Sequence, residues 1–253
     1  MPCDLKFSFF TQSQTHSKFW DLLKVLEFLE SDLRSGKCQS AGLPYAHEEH
    51  KLTFYLIDDL EQGTTEWLDW RRGVIGASDA ATIMGENPWG SSQRLMEEKL
   101  GLHRPFGGNA ATREGHRLEE FARESLEKKY RHKIIPIVVQ DSKDPYLAAS
   151  LDGIDSTRTR IYEIKCGMKS YEMTRNTGAV PAYYVAQLQH MMMVTQLDSL
   201  IFAAYRPDER LISFEVERDE SYIKRLRKVE LNFIKELKSR GHSIQYEFRG
   251  YRV

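Results

Sequence analysis

A chain of 253 residues can form one large domain or two small ones, and it is long enough to bury a substantial core. Its 41% hydrophobic and 29% charged residues are ordinary for a globular protein, which excludes the disordered and fibrous classes. Because 36 basic residues balance 37 acidic ones, any polyanion site must be local, and three scattered cysteines support neither a disulfide framework nor a thiolate metal site.

The predicted elements divide the chain into an N-terminal extension, residues 1–60, and a main body, residues 61–253. In the extension, apolar residues at helical spacing predict a helix over residues 17–36, and the run "LTFYLI" is typical of a β-strand. The role of the extension is not readable from its residues. We expect the body to begin with four helical segments: one from Trp67 into a turn, one from Asp79, one near 92–100 and a long one over 113–130.

The rest of the body predicts a sheet and two further helices. Strands are expected at residues 133–140, 146–154 and 160–166, with turn residues between them, so that antiparallel pairing is the simplest arrangement. A helix over 182–197, strands at 199–205 and 210–217, and a helix over 219–240 complete the chain. This order predicts a mixed α/β (α+β) fold with a central mixed sheet and flanking helices.

The strand "IYEIKC" places Glu163 and Lys165 on one face, because side chains alternate along a strand. We expect the two side chains to address one shared ligand rather than each other. A hairpin through "DSTRTR" would bring Asp152 of the preceding strand beside Glu163. Two carboxylates on adjacent strands suit Mg²⁺ or Mn²⁺, and a neighbouring lysine can orient or deprotonate a water. The alternative is a cross-strand salt bridge on a solvated sheet face.

Two other side chains are candidates for the same site. On the helix "REGHRLEEFARESLEKKY", Glu119 borders the apolar stripe formed by Leu118, Phe121, Ala122 and Leu126, whereas Glu120 lies on the wet side. Glu119 is therefore the candidate third carboxylate. Gln187 lies within the nearly all-apolar helix "AYYVAQLQHMMMVTQL", where it is either a satisfied core glutamine or part of the site.

The stretch "RRGVIGASDAA" is either a capped turn or a phosphate-binding loop. With Ser78 as N-cap of the helix from Asp79, the free amides of the first turn would attract an anion. Gly73 and Gly76 permit close approach of the backbone, and Arg71 can offer a bidentate fork to a terminal phosphate.

The segments "EWLDWRRGVIGASDAATIMGENPWG", "EGHRLEEFA", "ASLDGI", "YEIKC", "AYYVAQLQHMM", "FAAYRP" and "VERDESYI" occur in that order over roughly residues 64–240. Taken together they resemble the lambda-type exonucleases of viral recombination, a branch of the PD-(D/E)xK nuclease superfamily with a restriction-endonuclease-like core. The family has a proline where this chain has Leu151, which contributes no ligand.

The resemblance implies a role for each matching residue. It implies metal ligands at Asp152, Glu163 and Glu119 and at the backbone carbonyl of Ile164. Lys165 would act on the attacking water, and Gln187 would contact the catalytic groups or the scissile phosphate. Arg71 and Ser78 would hold the 5′-phosphate of the digested strand. Trp89, in "NPWG", is either a core residue or an apolar wedge or stacking platform near the duplex end.

The function implied is that of an Mg²⁺-dependent exonuclease, with Mn²⁺ able to substitute, that digests double-stranded DNA ends 5′ to 3′ and leaves 3′ single-stranded overhangs. The resemblance also implies a single-strand annealing protein as partner and a homotrimeric ring. The alternatives are a structure-specific or restriction-like endonuclease and a catalytically silent DNA-end-binding protein.

The expected location is intracellular. No apolar run is long enough to cross a bilayer, and the first residues lack the pattern of a secretory leader, so no membrane partner is expected. The location would be the cytoplasm of a bacterial host for a phage-encoded protein, or the nucleus or an organelle for a eukaryotic or viral one.

Overall fold

The computed structural model describes residues 54–57, 60, 62–103 and 110–242, and the backbone of 251–252. The helix predicted over 17–36 and most of the predicted extension lie outside the described residues. A domain boundary at residue 60 stays a prediction. None of the helices in the described ranges is both long enough and apolar enough to cross a membrane.

The first half of the body is mainly helical. In chain order it contains strand β1 (Phe54–Ile57), helix α1 (Thr65–Gly73), strand β2 (Ile75–Gly76), a 3₁₀ turn (Ala77–Asp79), and helices α2 (Ala80–Ile83), α3 (Ser92–Lys99) and α4 (Ala110–Tyr130). The second half contains strands β3 (Ile134–Asp141), β4 (Leu147–Asp155) and β5 (Ile161–Lys165), helices α5 (Met168–Thr177) and α6 (Ala182–Thr195), strands β6 (Ser199–Ala204) and β7 (Ile212–Glu217), helix α7 (Glu220–Ser239) and strand β8 (Tyr251–Arg252).

One sheet connects all the described strands, in the order β7-β6-β5-β4-β3-β1-β8, with β2 pairing in parallel to β4. The β3-β4-β5 meander is antiparallel as predicted, whereas β5 and β6 are parallel. The sheet is therefore mixed and mostly antiparallel, which confirms the predicted fold class. Strand β1 falls within the predicted extension, yet it pairs with β3 of the body.

The two faces of β5 have different environments. Tyr162 and Ile164 pack in one hydrophobic cluster with the buried stripe of α4, which consists of Leu118, Ala122 and Leu126. Phe121 was expected in this stripe and is instead 46% exposed, with the guanidinium of Arg117 over its ring. The opposite face carries Glu163 and Lys165, and this alternation directs both charges towards α6.

Helix α5 is not among the elements predicted from the sequence. It begins after Gly167 and ends at Gly178, which adopts the left-handed conformation with φ of 65°. Its buried side chains, Ser170, Tyr171 and Thr174, are too few and too polar to give a strong helical periodicity. The glycine stop is the signal that would have located its end.

A buried ion pair joins α6, α7 and β4. His190 Nδ1 lies 2.7 Å from Glu230 Oε1, its Nε2 lies 2.9 Å from the carbonyl oxygen of Ala148, and both ionisable side chains are fully buried. Because both ring nitrogens face acceptors, both must donate, which requires the protonated imidazole. Burial lowers the pKa of His190, but Glu230 outweighs it and the net pKa is raised above 6.5.

This raised pKa predicts that the stability of the fold decreases at alkaline pH. The contribution of His190 is fully present below its unfolded-state pKa of 6.5 and is lost as the pH rises through the higher folded value. The melting temperature of the wild type should therefore fall more steeply above pH 6.5 than that of the variant His190→Gln/Glu230→Gln, which has no titrating group at either position. Parallel melting curves for the two proteins would contradict this assignment.

Candidate active site

Glu163 and Lys165 form a buried ion pair on β5. Lys165 Nζ contacts Glu163 Oε1 directly, and the side chains are 20% and 2% exposed. The expectation that the two groups would not address each other is therefore wrong for this structure. A carboxylate buried this deeply needs a positive or hydrogen-bonding partner, and Lys165 is the nearest cation on its own face of the strand.

Asp152 lies next to this pair, on the adjacent strand β4. Its Oδ2 accepts a hydrogen bond of 2.8 Å from the backbone N–H of Ile164, so the predicted proximity of the two strands' acidic residues is observed. Arg123 of α4 donates to the backbone carbonyl of Asp152 at 3.1 Å. Arg123 lies one helical turn after Glu119 and was not among the site residues predicted from the sequence.

Glu119 approaches the same cluster from α4. Its side chain is 25% exposed and lies 3.1 Å from His116 Nδ1, while Glu120 is exposed, as expected from the helical phase. The negative charge of Glu119 contributes to the raised pKa of both Asp152 and Glu163. The three predicted carboxylates therefore face one region of the molecule.

Gln187 of α6 completes the cluster. Its Nε2 donates to Glu163 Oε1 at 2.7 Å, and its Oε1 accepts from Lys165 Nζ at 3.4 Å. Of the two alternatives in the sequence analysis, the structure places this side chain at the charged cluster rather than in the core. The amide fixes the position of both charged neighbours, since it donates to one and accepts from the other.

The cluster holds an excess of negative charge. Burial, Glu163 and Glu119 raise the pKa of Asp152 well above its usual range. The pKa of Glu163 is raised by burial, although Lys165 opposes it, and the pKa of Lys165 is raised because the two strand carboxylates outweigh its burial. Burial, Glu119 and Asp152 also raise the pKa of Cys166 to about 12, so this thiol stays protonated.

These residues fit a divalent cation by their chemistry. Within the described ranges, no three His, Cys, Asp or Glu side chains form a complete ligand set around one point. However, Glu163 Oε2 is buried without a hydrogen-bond partner. A buried carboxylate oxygen needs a partner, and a bound cation would supply one. Hard carboxylate oxygens with excess negative charge match the preference of Mg²⁺ and Mn²⁺.

Arg71 and Ser78 also contact each other, at the end of α1 and in the 3₁₀ turn. Arg71 Nη2 donates to Ser78 Oγ at 2.6 Å, and the guanidinium lies 5.1 Å from the centre of the Trp67 ring. The prediction of Ser78 as a helix N-cap is wrong. Gly76 is the N-cap of the 3₁₀ turn and Asp79 is the N-cap of helix α2, and the Asp79 side chain accepts a hydrogen bond of 3.0 Å from the N–H of Gly76.

A second buried ion pair supports this turn. Lys99 Nζ of α3 lies 2.7 Å from Asp79 Oδ2, and it donates to the carbonyl oxygens of Arg71 and Val74 at 2.9 and 2.6 Å. Burial lowers the pKa of Lys99 despite Asp79, whereas Lys99 and Arg71 lower the pKa of Asp79 despite its burial. Three acceptors match the three N–H groups of an ammonium, so we assign both groups as charged.

This chain is similar in sequence to a known family and to proteins of a bacterium and a virus. Residues 66–198 match the YqaJ-like viral recombinase domain. The protein YqaJ of Bacillus subtilis (strain 168) is 27% identical over 189 residues, which are 70% of this chain and 57% of that protein. A protein of Acanthamoeba polyphaga mimivirus is 27% identical over 171 residues, 60% of this chain and 30% of its own. The chain thus spans about half or less of the length of these curated relatives.

One solved structure is matched over nearly its whole chain. The alkaline exonuclease LHK-Exo from Laribacter hongkongensis superposes with a TM-score of 0.63 and 26% identity, over 70% of this chain and 94% of that one. A second structure of LHK-Exo, in complex with dAMP, matches to the same extent. The family match covers more than half of the chain. It includes Asp152, Glu163 and Glu119, which we call the acidic cluster, and the segment from Arg71 to Asp79, which we call the Arg71 turn. The chain therefore belongs to the YqaJ-like viral recombinase domain family.

Proposed function

We propose that this chain is a divalent-metal-dependent exonuclease that digests double-stranded DNA ends from 5′ to 3′ and leaves a 3′ single-stranded overhang. The observation that carries the proposal is the convergence of Asp152, Glu163, Lys165 and Gln187 at the adjacent strands β4 and β5. Further support comes from LHK-Exo, which is described as an alkaline exonuclease and has been solved with dAMP.

Asp152, Glu163, Glu119 and the carbonyl of Ile164 would hold Mg²⁺, and Mn²⁺ would substitute because both prefer oxygen ligands. When bound, such an ion lowers the pKa of a water and neutralises charge on the phosphodiester. Lys165 has N–H donors that orient the attacking water at the carboxylate edge. Gln187 keeps Glu163 and Lys165 in place through its two hydrogen bonds.

The Arg71 turn would select the end of the digested strand. An arginine fork and a serine hydroxyl that already touch each other offer several donors to a terminal phosphate. Lys99 stabilises the turn from the buried side, because it donates a hydrogen bond to the Arg71 carbonyl and forms an ion pair with Asp79. A 5′-phosphate would therefore be recognised without rearrangement of the backbone.

The partners of the protein follow from the same resemblance. The substrate would be a double-stranded DNA end, and an annealing protein would load on the strand that remains. A homotrimeric ring would enclose the duplex and concentrate basic residues despite the balanced total charge. We further propose an intracellular location. We also propose that residues 1–60 extend a nuclease domain spanning 61–253, with strand β1 of the extension paired to β3 of that domain.

A nuclease assay on matched substrates tests the proposal. With Mg²⁺, a linear duplex carrying 5′-phosphates should be digested, a linear duplex lacking them should be digested at least about tenfold more slowly, and a covalently closed circle should stay intact. Arg71→Ala should remove most of the difference between the two linear substrates, because the lost contact is to the phosphate itself.

Each result has a distinct meaning. Cleavage of the closed circle would show an endonuclease and overturn the exonuclease assignment. Equal sensitivity to the 5′-phosphate in wild type and Arg71→Ala would refute phosphate recognition by the turn and leave the exonuclease assignment unchanged. Arg72→Ala is the matched control, because Arg72 is adjacent in sequence but forms a surface ion pair with Asp69.

A further inference from the structure

Trp89 is a large aromatic residue exposed to solvent on the loop between α2 and α3. Its side chain is 65% exposed, so the alternative of a core residue is excluded. Its backbone N–H donates to Asn87 Oδ1 at 2.9 Å, and Asn87 Nδ2 donates to the buried Thr82 at 2.8 Å. The loop is thus built to hold the indole in one place, although exposure of an indole forgoes the stabilisation that burial would give.

The indole begins a row of aromatic rings that ends at the acidic cluster. The Trp89 and Tyr183 ring centres are 4.9 Å apart at an interplanar angle of 77°, and those of Tyr183 and Tyr184 are 4.5 Å apart at 60°. Lys165 Nζ lies 4.6 Å from the centre of the Tyr184 ring. We call Trp89, Tyr183 and Tyr184 the aromatic row. It extends from the solvent-exposed indole of Trp89 to the ammonium group of Lys165 in the proposed catalytic site.

Positive charge accompanies the row at both ends. Lys169, at the start of α5, places its Nζ 5.0 Å from the centre of the Trp89 ring, and Lys165 lies at the inner end. Exposed aromatic faces next to lysines match the two parts of a nucleotide, since bases stack on rings and phosphates pair with cations. A purely apolar partner would offer no group to pair with the ammonium of Lys169.

We propose that the aromatic row is a stacking surface for the DNA strand beside the bond that is cleaved, with Trp89 stacking on a nucleobase and Lys169 contacting a phosphate of the same strand. The inference rests on the proposed nuclease function and adds a substrate-contacting residue outside the acidic cluster and the Arg71 turn. Stacked bases are roughly 3.4 Å apart, and the ring separations therefore place Trp89 within about four nucleotides of Lys165.

Fluorescence of 2-aminopurine tests the stacking directly. A series of duplexes carries one 2-aminopurine at each of about the first four nucleotides from the end, and each is bound to the full chain in EDTA so that no cleavage occurs. Wild type should quench one position in the series, and Trp89→Ala should not quench it. Affinity for the same duplexes should fall on the order of tenfold in Trp89→Ala and less than about threefold in Trp89→Phe, which keeps a stacking ring.

Two further variants keep the test decisive. Met168→Ala removes another exposed apolar side chain, 53% accessible and adjacent in sequence to Lys169, and should change affinity less than about twofold. Trp89→Gln provides a polar replacement if the alanine variant unfolds, and it should bind as weakly as alanine. Melting curves of every variant establish that it is folded.

The outcomes separate this proposal from the nuclease assignment. If wild type cleaves linear DNA while Trp89→Ala shows unchanged quenching and affinity, the stacking surface is refuted and the nuclease function stands. If wild type fails to cleave with Mg²⁺ yet quenches one position through Trp89, the stacking surface is supported and the nuclease function falls. If wild type neither binds nor cleaves DNA, both are overturned.

Discussion

Asp152→Asn and Lys165→Ala are each expected to reduce DNA cleavage by about two to four orders of magnitude, and to shift the stability of the fold in opposite directions. Each substitution removes a group from the cluster that would bind the metal and the water. A residue that merely supports the fold would lose activity together with stability, so a gain of stability with a loss of cleavage in Asp152→Asn would identify a site residue.

The asparagine variant should be more stable than wild type when divalent cations are absent. The pKa of Asp152 is raised by burial and by two neighbouring carboxylates, so the folded state binds a proton more tightly than the unfolded state. Stability is then lost as the pH rises from the unfolded towards the folded pKa, so above its unfolded pKa this carboxyl group destabilises the fold. Asparagine can still accept from the N–H of Ile164, and we expect a gain of about 0.5–2 kcal/mol in the free energy of unfolding.

The alanine variant should be less stable, because it leaves Glu163 buried with Gln187 as its remaining partner. Melting curves in EDTA and cleavage rates in Mg²⁺ measure the two effects separately. Glu120→Gln is the matched control, since it neutralises an exposed carboxylate next to Glu119 and should leave both quantities near wild type. Cleavage by Lys165→Ala at the wild-type rate would exclude the proposed chemistry.

The sequence predicts those parts of the site that depend on short-range periodicity. Alternation along β5 places Glu163 and Lys165 on one face, and the short turn before it places Asp152 alongside. Helical phase likewise separates Glu119 from Glu120. For Gln187 the periodicity left two alternatives open, and the structure places its amide on the acidic cluster.

Contacts between distant polar residues are not predictable in this way. Nothing in the local pattern of α3 indicates that Lys99 is buried beneath the Arg71 turn, because lysine is usually exposed and its partner lies 20 residues earlier. The same holds for His190 and Glu230, which lie 40 residues apart on two different helices. The wrong prediction of Ser78 as a cap also results from side-chain contacts that a local pattern does not show. The Asp79 side chain accepts from the N–H of Gly76, and the hydroxyl of Ser78 accepts from Arg71.

Lys99→Met is expected to lower the free energy of unfolding by about 3–5 kcal/mol, because it breaks a buried ion pair and leaves the other charge uncompensated. Methionine keeps the length and apolar stem of lysine, so lost packing contributes little. Asp79 would keep its hydrogen bond from the N–H of Gly76, and the carbonyls of Arg71 and Val74 would lose a donor. Chemical denaturation at pH 7 measures the loss, and Lys235→Met, an exposed lysine of α7, is the control.

The double variant Lys99→Met/Asp79→Asn separates charge from packing. Asparagine is neutral and can still accept from Gly76, so the double variant should be more stable than Lys99→Met alone, which means that the two substitutions are not additive. Because the pair fixes the backbone between Arg71 and Ser78, Lys99→Met should also weaken discrimination for the 5′-phosphate while cleavage of unphosphorylated ends continues. A loss of less than about 1 kcal/mol, equal to that of Lys235→Met, would mean that the turn holds its shape without the ion pair.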